Sequence, residues 1–174
     1  MTKGAWMSGA LIVTAELGAA DFAWLDGLRR QHYPPERNQI SAHLTMFHAV
    51  GPSAEPELRG RLAALAAEPA PTARIAGVMD LGGGVALRVV SDELDAIRDA
   101  LADDLHGLLG AQDAGGWRPH VTIQNKVAPK VARDLVQSLE QDFQPRPLRI
   151  AGLGLHCYLG GPWERLGLFP FRGA

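Results

Sequence analysis

The chain has 174 residues, of which 47% are hydrophobic, and carries 17 Lys and Arg against 19 Asp and Glu, for a formal charge of −2. This composition disfavours disorder, and the length predicts one domain over residues 1–174. Without a basic excess, the chain is not expected to track along duplex nucleic acid, which requires many phosphate contacts. Cys157 is the only cysteine, so no internal disulfide forms; this favours a cytoplasmic location.

Periodicity and turn residues predict five elements in the first half of the chain. They are a strand over 9–17, a helix over 20–32, a strand over 42–50, a helix over 55–67 and a strand over 72–81. The glycines at 82–84 follow. Because no Lys-Ser/Thr comes after them, they predict a turn between the halves rather than a phosphate loop.

The second half repeats this order and adds a final strand. Its elements are a strand over 84–90, a helix over 92–109, a strand over 119–125, a helix over 129–142, a strand over 147–158 and a hairpin strand over 163–171. Ser91 is placed to cap the first of these helices, with acidic residues in the first turn. Pro129 lies where the start of a helix tolerates proline.

Three landmarks recur in the same order and at nearly the same distance. RIAG occurs at 74–77 and again at 149–152, 75 positions later. GALIVTAEL at 9–17 and GVALRVV at 84–90 have the same offset, and two His-x-Thr segments lie 77 positions apart. The repeat predicts an internal duplication, with one lobe over about 9–81 and the other over about 84–174.

The His-x-Thr segments read AHLTM at 42–46 and PHVTI at 119–123. Side chains two apart on a strand share a face, so His43 lies beside Thr45, and His120 beside Thr122. A twofold relation between the halves would bring the two pairs together across a groove. Two imidazoles and two hydroxyls in one small volume suit metal-free phosphoryl transfer by acid–base catalysis.

Alternative roles for these residues carry less weight. A single strand His or Thr is ordinarily structural, but a duplicated core does not require both to recur on one face. A cysteine hydrolase using Cys157 and His156 is disfavoured because adjacent strand residues point to opposite faces. A zinc enzyme is disfavoured because no His-Glu-x-x-His or similar spacing occurs.

Both segments match the hydrophobic-His-hydrophobic-Thr-hydrophobic motif at every position, and over nearly its whole length the chain resembles the two-histidine (2H) phosphoesterase superfamily. That superfamily includes bacterial 2′-5′ RNA ligase-like proteins and 2′,3′-cyclic nucleotide phosphodiesterases. The resemblance implies an α+β fold with two antiparallel sheets facing a central groove and helices outside. It also implies that His43 and His120 are the acid–base pair, that Thr45 and Thr122 hold the phosphate, and that no cofactor or metal is needed.

One departure from the resemblance bears on the reaction. The RNA ligase branch carries a small residue and then an arginine after its second motif, where this chain has Gln124 and Asn125. We therefore expect hydrolysis of 2′,3′-cyclic phosphates rather than 2′-5′ ligation. Ligation, or nucleotide binding without turnover, are the alternatives.

Four further residues are candidates for substrate binding. Phe47 and Gln124 continue the groove-facing series two residues beyond each threonine, and Phe47 would either stack on a base or fill the core. Arg118 has the alternation of His120, provided the strand begins that early. Tyr158, with Trp163, is a weaker aromatic candidate in the last hairpin.

The remaining polar residues near the motifs are assigned lesser roles. The cations of LRRQHYPPERN, which include Arg29, form either a phosphate patch or a solvated helix end. His48 and His106 are predicted to be structural. The expected substrate is a nucleotide or an RNA end, and we expect a monomer with no protein partner and no membrane association.

Overall fold

Seven strands and five α-helices make up residues 9–174, which are the part of the chain that the computed structural model describes. The strands are β1 (Leu11–Leu17), β2 (Leu44–Val50), β3 (Thr72–Asp80), β4 (Val85–Val90), β5 (His120–Gln124), β6 (Arg146–Tyr158) and β7 (Trp163–Pro170). The helices are α1 (Ala19–His32), α2 (Glu55–Ala66), α3 (Asp92–Asp104), α4 (Ala111–Ala114) and α5 (Pro129–Gln141). The predicted α+β class is confirmed.

The predicted elements occur in the predicted order, but the helix predicted over 92–109 is longer than the helix observed. Ser91 caps α3 by accepting a hydrogen bond from the Leu94 amide, as expected, but the helix ends at Asp104 rather than at 109. Gly107 then adopts φ = 82°, a left-handed conformation that glycine favours and that a helix cannot continue through. The chain therefore turns and forms the separate short helix α4.

All strand pairs are antiparallel, and the order along the sheet is β2-β1-β6-β3-β4-β5, with β7 also paired to β6. The long strand β6 joins two groups of strands. Its first residues, 146–149, pair with β3, while 150–157 pair with β1 and 152–158 with β7. The end strands of this order, β2 and β5, nevertheless contact each other, so the two ends of the order lie close together in the fold.

The strand pairing does not follow the predicted lobe boundaries at 9–81 and 84–174. Strand β3 pairs with β4 of the second half, and most of β6 pairs with β1 of the first half. The group with β1 and β2 thus contains β6 and β7 of the second half, and the group with β4 and β5 contains β3 of the first half. The local motifs predict the strands well but cannot show which neighbour each strand takes.

The core fixes which faces of β2 and β5 are available for chemistry. Leu44 and Met46 of β2 and Val121 and Ile123 of β5 are fully buried. Because alternate strand residues point to opposite faces, Thr45 and Thr122 are turned away from these apolar layers. Within residues 9–174, no helix is long and apolar enough to cross a membrane.

Candidate active site

His43 and His120 occupy equivalent positions at the starts of two strands. His43 directly precedes β2, and His120 is the first residue of β5. The Nδ1 atom of His43 donates to the carbonyl oxygen of Ser41 at 2.8 Å, and that of His120 donates to the carbonyl oxygen of Arg118 at 2.7 Å. Since a carbonyl can only accept, Nδ1 carries the proton in both neutral rings. Nε2 is therefore the atom left free in each ring to exchange a proton.

The two His-x-Thr pairs converge in one small pocket of about 130 Å³. It is lined by His43, Thr45, His48, His120, Thr122 and Trp163. The structure thus brings together the four residues on which the sequence analysis depends. The volume suits a phosphoryl group and not a whole nucleoside, because pockets for drug-sized ligands measure about 300–1,000 Å³.

The environment of His43 keeps its imidazole neutral. Burial lowers the pKa of His43 from 6.5 to about 4, and the positive charges of Arg29, His48 and His120 act in the same direction. The hydrogen bond to Ser41 opposes this effect without overcoming it. At neutral pH His43 is therefore unprotonated, with the lone pair of Nε2 free to accept a proton.

Two β-bulges redirect the residues that follow the threonines. In β2, Thr45 pairs with Thr14 and Phe47 with Val13, so β2 advances by two residues where β1 advances by one. Phe47 consequently turns into the core, where it is fully buried beneath the guanidinium of Arg98. Of the two roles left open for Phe47, the structure shows the one in the core, and Phe47 does not face the groove as simple alternation suggests because alternation fails at the bulge.

The same irregularity occurs in β5. Thr122 pairs with Ala86 and Gln124 with Val85, and Gln124 is only 4% exposed. Its Oε1 atom has no hydrogen-bond partner among the described residues. Gln124 therefore does not line the pocket as predicted.

The bulge in β2 also returns His48 to the pocket, where the sequence analysis assigns it only a structural role. The Nδ1 atom of His48 lies 3.1 Å from Oδ1 of Asp113, and the backbone amides of His48 and Ala49 donate to the same carboxylate. Burial alone would raise the pKa of Asp113, but these hydrogen bonds and the charge of His48 outweigh burial and lower the pKa. An ionised, buried carboxylate therefore holds a third imidazole in the pocket. A bulge leaves no mark in the sequence, so alternation could not reveal this residue.

Of the remaining predicted residues, Arg118 and Tyr158 lie outside the pocket. Strand β5 begins only after Pro119, so strand alternation does not extend to Arg118, whose side chain is exposed and whose carbonyl holds His120. Tyr158 is half-buried and pairs with Trp163 across β6 and β7. Of these two aromatic residues, Trp163 lines the pocket, with its ring centroid 4.8 Å from that of His43 in an edge-on arrangement.

Two buried arginines link helices α1 and α3 to the strands that bear the His-x-Thr pairs, β2 and β5. Arg29 of α1 donates to Asn38 Oδ1 and to the carbonyl oxygens of Ile40 and Thr122, so it is not a free phosphate patch. Arg98 of α3 donates to the carbonyl oxygens of Met46, at 3.4 Å, and Asp113, at 2.6 Å. Each arginine thus supports the motif strand of the other half of the chain.

The sequence does carry a signal for these arginines. Arg29 ends the segment LDGLR at 25–29, and Arg98 ends LDAIR at 94–98, 69 positions later. In both segments the leading leucine is fully buried and the arginine is almost fully buried. This offset of 69 differs from the 75 to 77 positions that separate the repeated strands, so a search at the strand offset alone does not find the match.

No group of three or more His, Cys, Asp or Glu residues within residues 9–174 is arranged to hold a metal ion. The three imidazoles of the pocket are therefore not positioned as a ligand set. A larger cleft of about 1,100 Å³ lies between α1, α5 and the start of β6, but it contains none of the histidines or motif threonines.

Comparison with known proteins agrees with this geometry. A sequence profile of the 2′-5′ RNA ligase superfamily matches residues 18–162, which include both His-x-Thr pairs. The chain belongs to this superfamily. No curated protein sequence matches the chain.

Solved structures of other proteins share the fold of this chain. TT0787 of Thermus thermophilus superposes with a TM-score of 0.65 at 18% identity, over 94% of this chain and 98% of that one. A structure described as a phosphoesterase gives 0.64 at 18% identity, with the same coverage. LigT of E. coli complexed with 3′-AMP gives 0.60 at 16% identity, again over 94% and 98%. At these identities the likeness establishes the fold alone.

Proposed function

We propose that this superfamily member is a metal-independent phosphodiesterase that hydrolyses 2′,3′-cyclic phosphates of RNA ends or small nucleotides. The observation that carries the proposal is the matched pair of imidazoles. Both hold Nδ1 on a backbone carbonyl and both line the same pocket with a threonine beside them. This arrangement supplies one proton acceptor, one proton donor and two hydroxyl donors for a phosphate.

The reaction balances with these groups alone. A water oxygen attacks phosphorus while Nε2 of one neutral histidine takes its proton. The bond from phosphorus to one ribose oxygen breaks, and the other histidine, protonated at Nε2, gives its proton to that oxygen. By the family resemblance the product carries a 2′-phosphate. The proton lost by water and the proton gained by ribose leave the histidine pair ready to exchange roles.

The threonines and the buried surroundings would favour the transition state. Thr45 and Thr122 are placed to donate hydrogen bonds to the non-bridging oxygens, on which charge accumulates. A phosphate anion in the pocket would favour the protonated form of a neighbouring imidazole, which offsets the burial that lowers the pKa of His43. Either ring can therefore serve as the acid once substrate is bound.

The nucleotide part of the proposal rests on family membership and chemistry. E. coli LigT, which has this fold, was crystallised with 3′-AMP and with ATP. The superfamily description favours a second candidate, 2′-5′ ligation, in which the 5′-hydroxyl of another strand replaces water as the nucleophile. Gln124 and Asn125, which replace the small residue and arginine of the ligase branch, favour hydrolysis.

The decisive test is product formation in the absence of metal. Purified protein is incubated with a nucleoside 2′,3′-cyclic phosphate in excess EDTA, and products are followed by phosphorus NMR. The proposal predicts a single monophosphate isomer, absent with His120→Ala and unchanged with His106→Ala, because His106 is exposed and outside the pocket. An RNA carrying a cyclic phosphate end and a second RNA with a 5′-hydroxyl, assayed together, distinguish ligation from hydrolysis.

A further inference from the structure

A second pocket, of about 510 Å³, adjoins the catalytic one. His43 and Trp163 line both pockets, so the two volumes meet at these side chains. Its floor is the sheet face that bears Thr45. Cross-strand pairing places Thr14 beside Thr45, Gly154 beside Thr14, and Leu168 beside Gly154. One row of cross-strand residues thus leads from the catalytic threonine across β1, β6 and β7 into the second pocket.

One edge of this pocket carries a connected polar cluster. The Thr14 hydroxyl donates to Oε1 of Glu16 and accepts from Nε2 of His156 at 2.9 Å, while Arg165 donates to the same Glu16 oxygen at 3.1 Å. Gly154 leaves the space for the cluster, since a Cβ there would collide with Glu16 and Thr14. Burial alone would raise the pKa of Glu16, but His156, Arg165 and Thr14 outweigh burial and lower it, so the carboxylate is ionised.

The cluster retains capacity to bind a ligand. Glu16 contacts Thr14, Arg165 and, at 3.6 Å, Nε2 of His156, and all three contacts fall on its Oε1 atom. The Oε2 atom makes no hydrogen bond with any described residue and is not buried. Arg165 is about half exposed and uses one nitrogen. The pocket edge therefore offers an acceptor and several donors side by side, an arrangement complementary to the polar edge of a heterocycle.

The other walls are apolar and lack a partner. Phe22 is 37% exposed and Leu168 is 50% exposed, which makes them two of the few large apolar side chains exposed on the described surface, and both line this pocket. Ile40 and Trp163 add to the apolar lining. Flat apolar faces with one polar edge describe a nucleobase, whereas a second phosphate would be repelled by the free oxygen of Glu16.

We propose that this second pocket binds the nucleobase of the nucleotide whose cyclic phosphate occupies the catalytic pocket. Trp163 and Leu168 contact the faces of the base, and Glu16 and Arg165 bind its edge. This inference rests on the proposed function for the placement of the phosphate. It makes the enzyme selective for nucleoside cyclic phosphates over cyclic phosphates that lack a base.

The test compares two substrates that share the cyclic phosphate and differ in whether they carry a base. Wild type, Glu16→Gln and Leu168→Ala are assayed with adenosine 2′,3′-cyclic phosphate and with glycerol 1,2-cyclic phosphate. The expected result is that the ratio of the two kcat/KM values falls about tenfold in each variant, which corresponds to roughly 1.4 kcal/mol of lost base contact. Glu140→Gln, an exposed carboxylate on α5, should keep the wild-type ratio. Leu168→Ala trims a half-exposed side chain, so it tests the pocket even if Glu16→Gln disturbs folding.

A binding measurement separates failure of this inference from failure of the proposed function. Affinities for adenosine 2′-monophosphate and for inorganic phosphate are measured by calorimetry in the same variants. If neither cyclic phosphate is hydrolysed, yet Leu168→Ala and Glu16→Gln weaken nucleotide binding and spare phosphate binding, the subsite stands and the proposed function fails. If both substrates turn over and neither variant changes the ratio, the subsite is wrong and the proposed function stands.

Discussion

Nδ1 of His43 and Nδ1 of His120 make the same hydrogen bond, each to the backbone carbonyl two residues earlier in the chain. Because the acceptor is a carbonyl and not a carboxylate, this hydrogen bond fixes the ring tautomer without placing a negative charge beside either imidazole. The two rings share this tautomer and line one pocket, so Nε2 of each is free to exchange a proton. This shared geometry is the structural basis of the proposed chemistry.

The pKa of His43 predicts how stability depends on pH. The unfolded chain binds a proton at His43 near the ordinary pKa of 6.5, whereas the folded protein does so only near 4. Between these values the unfolded state binds more protons, so stability falls as pH falls through this window. Replacing His43 by Gln removes the effect, and the loss of unfolding free energy between pH 7 and pH 5 should become about 1–2 kcal/mol smaller.

Urea unfolding at several pH values measures this difference. His106→Gln is the matched control, because His106 is exposed and the variant should lose as much stability on acidification as wild type. Equal losses in His43→Gln and wild type would show that the His43 environment does not penalise its charge.

His48 should contribute to substrate binding through its position in the pocket. Its imidazole is held by Asp113 and, when protonated, adds a positive charge near the phosphate. We expect His48→Gln to raise KM about tenfold and to change kcat less. Steady-state kinetics check this, and a fall in kcat with KM unchanged would contradict a role of His48 in substrate binding.

The threonine hydroxyls should act mainly in the transition state. Thr45→Val and Thr122→Val keep the shape of the side chain and remove one hydrogen-bond donor each. We expect kcat to fall about 10- to 100-fold in each variant, with KM altered less, because charge on the phosphate oxygens grows during the reaction. Thr72→Val, at the exposed start of β3, is the control. A rise in KM with unchanged kcat would assign the hydroxyls to ground-state binding instead.

Arg29 should matter more for stability than its neighbour Arg30. Arg29 is almost fully buried and donates to two backbone carbonyls, whereas Arg30 is 70% exposed and makes one ion pair on the helix surface. Arg29→Met leaves buried acceptors unpaired and should cost about 2 kcal/mol, while Arg30→Met should cost less than about 0.5 kcal/mol. Denaturant unfolding of both variants measures the contrast, and equal costs would contradict the assigned role of Arg29.

Local patterns predicted much of this protein because they report local structure. Alternation identified β2 and β5 and the shared face of each His-x-Thr pair, and the cap at Ser91 marked the start of α3. Phe47 and Gln124 were misplaced because a single inserted residue reverses the alternation after each threonine. Pairing of β3 and β6 across the halves depends on the whole sheet, and no short segment encodes it.

His48 shows the same limit of local patterns, because it lines the pocket and the pattern did not place it there. Its position in the sequence places it on the face of Met46, yet the bulge moves it to the face of Thr45. Its partner Asp113 lies 65 residues away on a helix of four residues, which periodicity cannot detect. Such residues become visible only when the backbone geometry is known.

The pH dependence of kcat/KM, measured with a nucleoside 2′,3′-cyclic phosphate in excess EDTA, tests the account most directly. Wild type should give a bell-shaped profile, because one imidazole must be neutral and the other protonated in the free enzyme. His43→Asn and His120→Asn should each lose at least about 100-fold in kcat/KM. Activity that appears only when a metal ion is restored, or that survives the loss of either imidazole, would contradict catalysis by the two histidines.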